Sequence, residues 1–378
     1  MTEKRGALPS AVPSGRPKGV EGSIAGQDIP RTPPDWSARK AATSSLVTSR
    51  SMSRSEPAQT PEIRSGNQSP VLVIGGTGHV GAGLCLFLSS RGHPVTAASR
   101  SQNPVFTDSG IERLSLDVLD PPGNEHFPRS PMAVICPWVD QAHGDRSRPW
   151  IDLLLRQLVE VGTRSLIYLS SMWVYGGEPR GLLTESTPVA PTDYYGSAHA
   201  RNEDALVAGV AELGVEVSIL RMANLVGPDP FFRHRTKVSF AHELMAMALF
   251  DRSIVLRSPP STPRNLLPRT LFHHYLLPLV DRQFVRGRID FFNMGGSSTS
   301  TMARLAGEVA AMAEQYHGGR VAIEHPEELN PQPPFRLDTT RIRALAGPDA
   351  DDLGRELSMV LQDVVANSDP TFGRRGPT

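Results

Sequence analysis

The sequence has little cysteine, no surplus of either charge and no long apolar run, and each shortage closes a class of protein. Only two cysteines occur in 378 residues, Cys85 and Cys136, both inside apolar stretches. That disfavours a disulfide-stapled scaffold or a cysteine metal site and suits a reducing cytoplasm. Lys plus Arg number 39 and Asp plus Glu 39, so no global charge draws nucleic acid or an anionic membrane surface. No apolar run reaches the roughly 18 residues of a bilayer span. The amino terminus lacks the charged-then-apolar order of a secretory signal. A soluble globular chain of one large or two modest domains is left.

Residues 1–69 are rich in Ser, Pro, Gly and Arg and hold few large apolar side chains. Such a segment buries too little surface to offset its ordering entropy, and a disordered extension is expected. A transit peptide and an over-long gene start are the alternatives, the first weakened by Glu3, Glu21, Asp28 and Asp35.

From Val71 the pattern changes. Val71-Leu72-Val73-Ile74 is an apolar, β-branched run, followed by Gly75, Gly78 and Gly81 three apart and then Leu84, Leu86, Phe87 and Leu88 at helical spacing. Strand, glycine turn and helix in that order predict a dinucleotide site, with phosphates on the free N–H groups of the helix start. Alternating strand-like and helix-like segments continue: strands at Val95–Ser99, Ile111–Leu116, Met132–Cys136 and Ser165–Leu169, and a helix at Ile151–Val161. This alternation is the mark of a doubly wound parallel sheet, the α/β Rossmann class. Arg100 ends the second strand, where an acid grips an adenosine ribose and a base accepts a 2′-phosphate. It leans the cofactor from NAD towards NADP, the alternative being a solvated surface arginine.

Two further stretches carry the chemistry. Ser170-Ser171-Met172-Trp173-Val174-Tyr175-Gly176 follows the fifth strand, and Tyr195-Gly196-Ser197-Ala198-His199 lies downstream. With the glycine turn, these resemble the serine motif and YxxxK helix of the extended short-chain dehydrogenase/reductases, the NAD-dependent epimerase/dehydratase family. The run from Arg221 to Pro228 is similar to that family's RxxNxYGP, and Phe292–Gly295 and Asp338–Arg341 to its carboxy-terminal landmarks. The resemblance covers residues 70–365. It implies Tyr195, Ser171 and His199 as catalytic residues, and Gly75, Thr77, Gly78, His79, Val80, Gly81, Arg100, Asp117, Val118 and Cys136 around the cofactor. It also implies a homodimer through two helices of the Rossmann half. Independently of any family, Tyr195 can exchange a proton with a substrate oxygen that Ser171 holds. A tyrosine titrates near ~10 and needs a neighbouring cation to work at neutral pH. Residues four apart share a helix face, so position 199 is where the cation belongs. The sequence departs from the pattern there: His199 replaces lysine and is only part-charged at neutral pH. A second departure is Cys136-Pro137-Trp138, where small residues usually border the cofactor.

The expected division is an extension (1–69), a Rossmann domain (70–228) and a mainly substrate-binding lobe with returning Rossmann elements and a polar tail (229–378). In that lobe Arg233, His234, Arg235 and Lys237 make a basic stretch, and Arg264-Asn265-Leu266-Leu267-Pro268 resembles the family's diphosphate-contacting segment. Trp173, Asn224, Arg233 and Arg264 are therefore the candidate substrate residues, arginine forks suiting phosphates. His273 and His274 lack partners at metal-ligand spacing, and packing is expected of them. Apolar spacing predicts helices over Ser239–Phe250, Thr301–Ala313 and Asp352–Val365. The sequence points to a 4-ketoreductase or 4-epimerase of a nucleoside-diphosphate hexose. Two other readings stay on the same fold: a non-redox isomerase, dehydratase or cyclase, and a nucleotide sensor without turnover.

Overall fold

The computed structural model describes residues 68–100, 106, 109–137, 150–232, 238–327, 331–347 and 351–367. Residues 1–67, Trp138, the basic stretch Arg233–Lys237 and the tail beyond 367 lie outside that set, so the expectations placed on them are not addressed by it.

The chain opens with β1 (Val71–Ile74), α1 (His79–Ser90), β2 (Val95–Ser99), β3 (Glu112–Ser115) and β4 (Met132–Ile135). Next come α2 (Trp150–Glu160), β5 (Ser165–Ser171), β6 (Gly181–Leu183), α3 (Tyr194–Leu213), β7 (Glu216–Met222) and β8 (Asn224–Val226). The second half contains α4 (Phe240–Ala246), β9 (Ser253–Val255), β10 (Pro263–Pro268), α5 (Arg269–Asp281) and β11 (Ile289–Met294). It ends with β12 (Thr299–Thr301), α6 (Met302–His317), β13 (Ala322–Glu324), β14 (Phe335–Leu337), α7 (Thr340–Ala346) and α8 (Leu353–Ala366).

Seven strands form a parallel sheet in the order β11-β7-β5-β4-β1-β2-β3. The chain leaves β1 in one direction through β2 and β3, then crosses back to β4 on the other side. A crevice opens at such a reversal, beyond the carboxyl ends of the strands, and that is where ligands bind in open α/β sheets. Burial explains why β1 reads as one continuous apolar run. Val71 and Val73 join the core under α1 and α5, while Leu72 and Ile74 join the core under α2 and α3. A third core, built from α4, α6, α8 and the strands beside them, belongs to the second half of the chain.

Several boundaries differ from the sequence pattern, among them α6, which runs to His317 where the apolar spacing ended at Ala313. β5 continues two residues beyond Leu169, because Ser170 and Ser171 still pair with Arg221 and Met222 on β7. Hydroxyl side chains hide that extension from an apolar-run reading. β3 is shorter than expected, Glu112–Ser115. The expected helix over Ser239–Phe250 is α-helical only to Ala246, then widens into a π turn over Met247–Asp251 that Arg252 ends at φ 53°. Among the described residues no helix is long and apolar enough to cross a membrane.

Candidate active site

The glycine turn lies at the mouth of the crevice. Gly75 has φ 79°, and a Cβ there would collide with the Cys136 carbonyl, so only glycine lets β1 turn this tightly beside the end of β4. The Gly75 amide donates to the Ala98 carbonyl (2.8 Å), and the Gly78 amide to the Gly75 carbonyl (2.9 Å). Helix α1 starts at His79 with no side-chain cap at Gly78 and no acid in its first turn. An amide terminus left without a side-chain acceptor is a site for an anion. Thr77, Gly78 and Val80 retain solvent exposure around it. Arg100 is exposed just past β2. The Asp117 carboxylate accepts from the Leu119 amide at 3.0 Å, and Val118 packs against the apolar core below. Burial pushes the Cys136 thiol up to about 12, which keeps it protonated and inert.

His79 is held differently from the rest of the turn. Its backbone starts α1, but its ring turns to the second half of the chain, with Nδ1 3.0 Å from Asp229 Oδ2 and the Arg269 guanidinium 3.3 Å from Nε2. Burial is the largest cause holding its pKa down at about 4, opposed by the bond to Asp229. His273 stacks on Phe87 with centroids 4.3 Å apart, so its imidazole packs against α1.

The catalytic candidates meet at the end of β5. Ser171 is buried, and its Oγ accepts from the Trp173 amide at 3.3 Å, capping the short turn Met172–Tyr175. Asp193 caps α3 by accepting from the Gly196 amide at 2.7 Å. A Cβ on Gly196 would collide with the Trp173 carbonyl; glycine there lets the first turn of α3 lie directly on the Ser171–Tyr175 turn. That close approach brings Tyr195 beside Ser171, whose hydroxyl favours the phenolate. Tyr195 is 41% exposed. The protein holds its hydroxyl above the ordinary tyrosine value, chiefly through burial and then the Asp193 charge, against the contribution of Ser171. Partial exposure shrinks this displacement without reversing it, because water screens both contributions.

His199 is no substitute cation. It is 1% exposed, and burial holds its pKa down at about 4, so it is neutral at pH 7. Asn202 Nδ2 donates to the Tyr168 hydroxyl (2.9 Å), whose own proton then goes to His199 Nδ1 (3.0 Å). The remaining proton sits on Nε2, which has no hydrogen-bond partner among the described residues. The imidazole lies edge-on to the Tyr195 ring at 4.6 Å between centroids. The part-charged histidine expected from the sequence is thus corrected by desolvation: burial holds the ring in its neutral form. Below it, the buried pair Glu203–Arg221 (2.8 Å) ties α3 to β7, and Arg221 also donates to the Tyr175 hydroxyl at 3.1 Å. Tyr175 in turn donates to Asn293 on β11 at 2.6 Å.

Of the substrate candidates, Trp173 and Arg264 come together, the guanidinium 5.6 Å from the indole centroid. Arg264 Nη1 donates to the Pro263 carbonyl at 3.0 Å, and burial lowers the Arg264 pKa. Asn224 donates instead to the Asn265 carbonyl at 3.0 Å, fastening β8 to β10. Sequence reasoning missed Tyr168 and Asn202. The one available signal was helical spacing, which sets Asn202 on the face of His199.

Three histidines share one consequence. His79 and His199 are held at about 4 and His273 at about 3, against 6.5 when unfolded. A base kept neutral by the fold takes its proton on unfolding, so this stability is complete above pH 6.5 and is lost as pH falls towards 4. Urea midpoints are expected to drop steeply across that window, each histidine contributing at most about 1.4 kcal/mol per pH unit. His199→Gln should flatten the slope; an unchanged slope would refute neutral burial of His199.

The fold and this site define a Rossmann protein with a serine–tyrosine pair at the sheet's carboxyl edge. Residues 71–248 match the model described as "NAD dependent epimerase/dehydratase family". Sterol demethylase protein B of Methylococcus capsulatus is 30% identical over 196 residues, 46% of this chain and 58% of that protein. UDP-arabinose 4-epimerase 1 of Arabidopsis thaliana is 26% identical over 183 residues, 42% and 44% of the two chains. The chain thus spans about half the length of the curated relatives it matches. The structure of MoeE5 in complex with UDP-glucuronic acid and NAD superposes with TM-score 0.65 at 18% identity, covering 79% of this chain and 99% of that one. That likeness establishes the shared fold.

Proposed function

We propose that this protein is an NAD(P)-dependent oxidoreductase or epimerase of a nucleoside-diphosphate sugar, a 4-ketoreductase or 4-epimerase, in which Tyr195 exchanges a proton with the sugar oxygen and Ser171 orients it. The observation that carries this reading is the close packing of the first turn of α3, which bears Tyr195, on the turn that Ser171 caps, at the crevice end of the sheet that also bears the glycine turn. The residues of that turn fit an anionic dinucleotide, since α1 starts with no side-chain cap and no acid in its own first turn. Gly75 to Gly81 would hold the pyrophosphate, Arg100 would face the adenosine ribose and favour NADP, and Cys136 would border the far side. When bound, the nicotinamide supplies or accepts a hydride. Trp173 and Arg264 would form the substrate wall, indole against the sugar and guanidinium on the diphosphate.

A second reading, proton transfer without hydride on the same fold, is favoured by one observation: His199 supplies no cation to Tyr195. Fluorescence titration of nucleotide-stripped protein with NADPH and NADH separates the two. Tight binding with preference for NADPH supports the redox reading and the role of Arg100, whereas binding of neither removes it. A panel of UDP- and dTDP-hexoses, their 4-keto forms and a sterol then tests the substrate class. Arg264→Gln is expected to raise KM for a nucleotide sugar by about 10–100-fold, the worth of a charge-assisted bond, without weakening dinucleotide binding. An unchanged KM would remove Arg264 from the substrate site.

A further inference from the structure

The two halves of the chain are fastened together at the glycine turn. His79 opens α1, so its backbone belongs to the helix terminus that has no side-chain cap. Its side chain belongs to the other half. Nδ1 lies 3.0 Å from Asp229 Oδ2, and an ionised carboxylate only accepts, so this nitrogen carries the ring proton. Arg269 Nη2 lies 3.4 Å from Nδ1 and 3.3 Å from Nε2, and it donates to the His79 carbonyl at 3.1 Å. Near-equal distances to both ring nitrogens set the guanidinium over the ring face. A Cβ on Gly83 would collide with the same guanidinium, which therefore rests directly on the first turn of α1.

The groups that hold His79 are held in their turn. Asp229 is buried; its Oδ1 accepts from the Phe231 amide at 3.0 Å, and its own amide donates to Asp363 on α8 at 2.6 Å. Seven residues earlier on α8, Glu356 accepts from the Thr270 amide at 2.9 Å, which fixes the start of α5 beside Arg269. Residues seven apart share a helix face, so one side of α8 braces both partners of His79. All of these residues follow Pro228. Backbone amides recognise an anion best when their orientation is set before it arrives, because ordering them then costs nothing further. The strand and glycine turn supply the amides, and the grip on the first residue of α1 comes from 150 and 190 positions away.

On the reading of the preceding subsection, we infer that His79 is a positioning residue of the dinucleotide site, through which Asp229 and Arg269 hold the α1 terminus in the orientation that receives the pyrophosphate. The affinity of the glycine turn then depends on the second half of the chain. By linkage, a dinucleotide on the turn stabilises the Asp229 loop to the same extent.

The nucleotide-stripped full chain, titrated with NADH and, by competition, with ADP-ribose and adenosine, tests the inference. His79→Leu is expected to weaken NADH and ADP-ribose about tenfold and to leave adenosine, which has no pyrophosphate, unchanged. Asp229→Ala should repeat that selective loss, and combining the two substitutions should add nothing to it. His79→Asn keeps a donor near the place of Nδ1 and should recover most of the affinity. Equal weakening of adenosine and ADP-ribose, additive losses or no loss at all would make His79 a structural contact only and overturn the inference. Hydrogen exchange reads the same point without a ligand. The Gly78 and Ala82 amides donate to the Gly75 and Gly78 carbonyls at 2.9 Å and should exchange about tenfold faster in both single variants, with residues 84–88 as in wild type. Unchanged exchange at Gly78 and Ala82 overturns the inference equally. A wild-type chain that binds no dinucleotide sinks the preceding proposal, while the exchange comparison still decides whether Asp229 holds the turn.

Discussion

Tyr195→Phe is expected to lower turnover by about 10²–10⁴-fold, the usual contribution of a positioned proton donor, while dinucleotide binding and melting temperature stay as in wild type. The substitution removes one oxygen from a ring that is 41% exposed. Nothing in the apolar cores rests on that atom, so stability has no reason to change. The proton moves only as the substrate oxygen changes charge, so kcat and kcat/KM should fall together with KM little altered. Steady-state kinetics beside a melting curve and a cofactor titration check all three. Retained turnover in this variant would remove Tyr195 as the acid/base and with it the proposed mechanism.

Arg221→Ala is expected to cost about 3–5 kcal/mol of stability, because removing one partner of a buried ion pair leaves the other charge without compensation. Here the abandoned group is Glu203, 3% exposed in the middle of α3. Arg221 also donates to the Tyr175 hydroxyl and the Glu185 carbonyl, so three acceptors lose a donor at once. α3 carries Tyr195 and His199, and the pair is what fastens this helix to β7. Urea denaturation should show the loss, and Arg221→Ala with Glu203→Gln should recover part of it by removing the orphaned charge. A variant as stable as wild type would show that α3 is held by its apolar face alone.

The two outcomes differ in kind. The tyrosine is a chemical group on a frame that does not need it, whereas the arginine belongs to the frame and its loss would reach catalysis only by displacing α3. A melting curve tells them apart before any substrate is known.

Much of this was legible in the amino-acid order because it is local. The β1 run, the glycine spacing and the α1 face depend on residues within a dozen positions of one another, and the need for glycine at 75 is a matter of backbone geometry in a turn. The serine and tyrosine could be named because the short stretches around them resemble the family's serine motif and YxxxK helix. The charge state of position 199 was not local. His199 reads as a titratable side chain near its ordinary range until Tyr168, 31 residues earlier, and Asn202 close around it. Desolvation is a property of everything packed about a group, and no window of sequence contains it. The same holds for His79, which a motif assigns to the cofactor turn and which the fold directs to Asp229, 150 residues away. Local sequence thus determined the Rossmann frame and offered the candidate hydroxyl pair; long-range packing alone decided that His199 supplies it no cation, because burial and hydrogen bonding from distant elements set which protons that ring can hold.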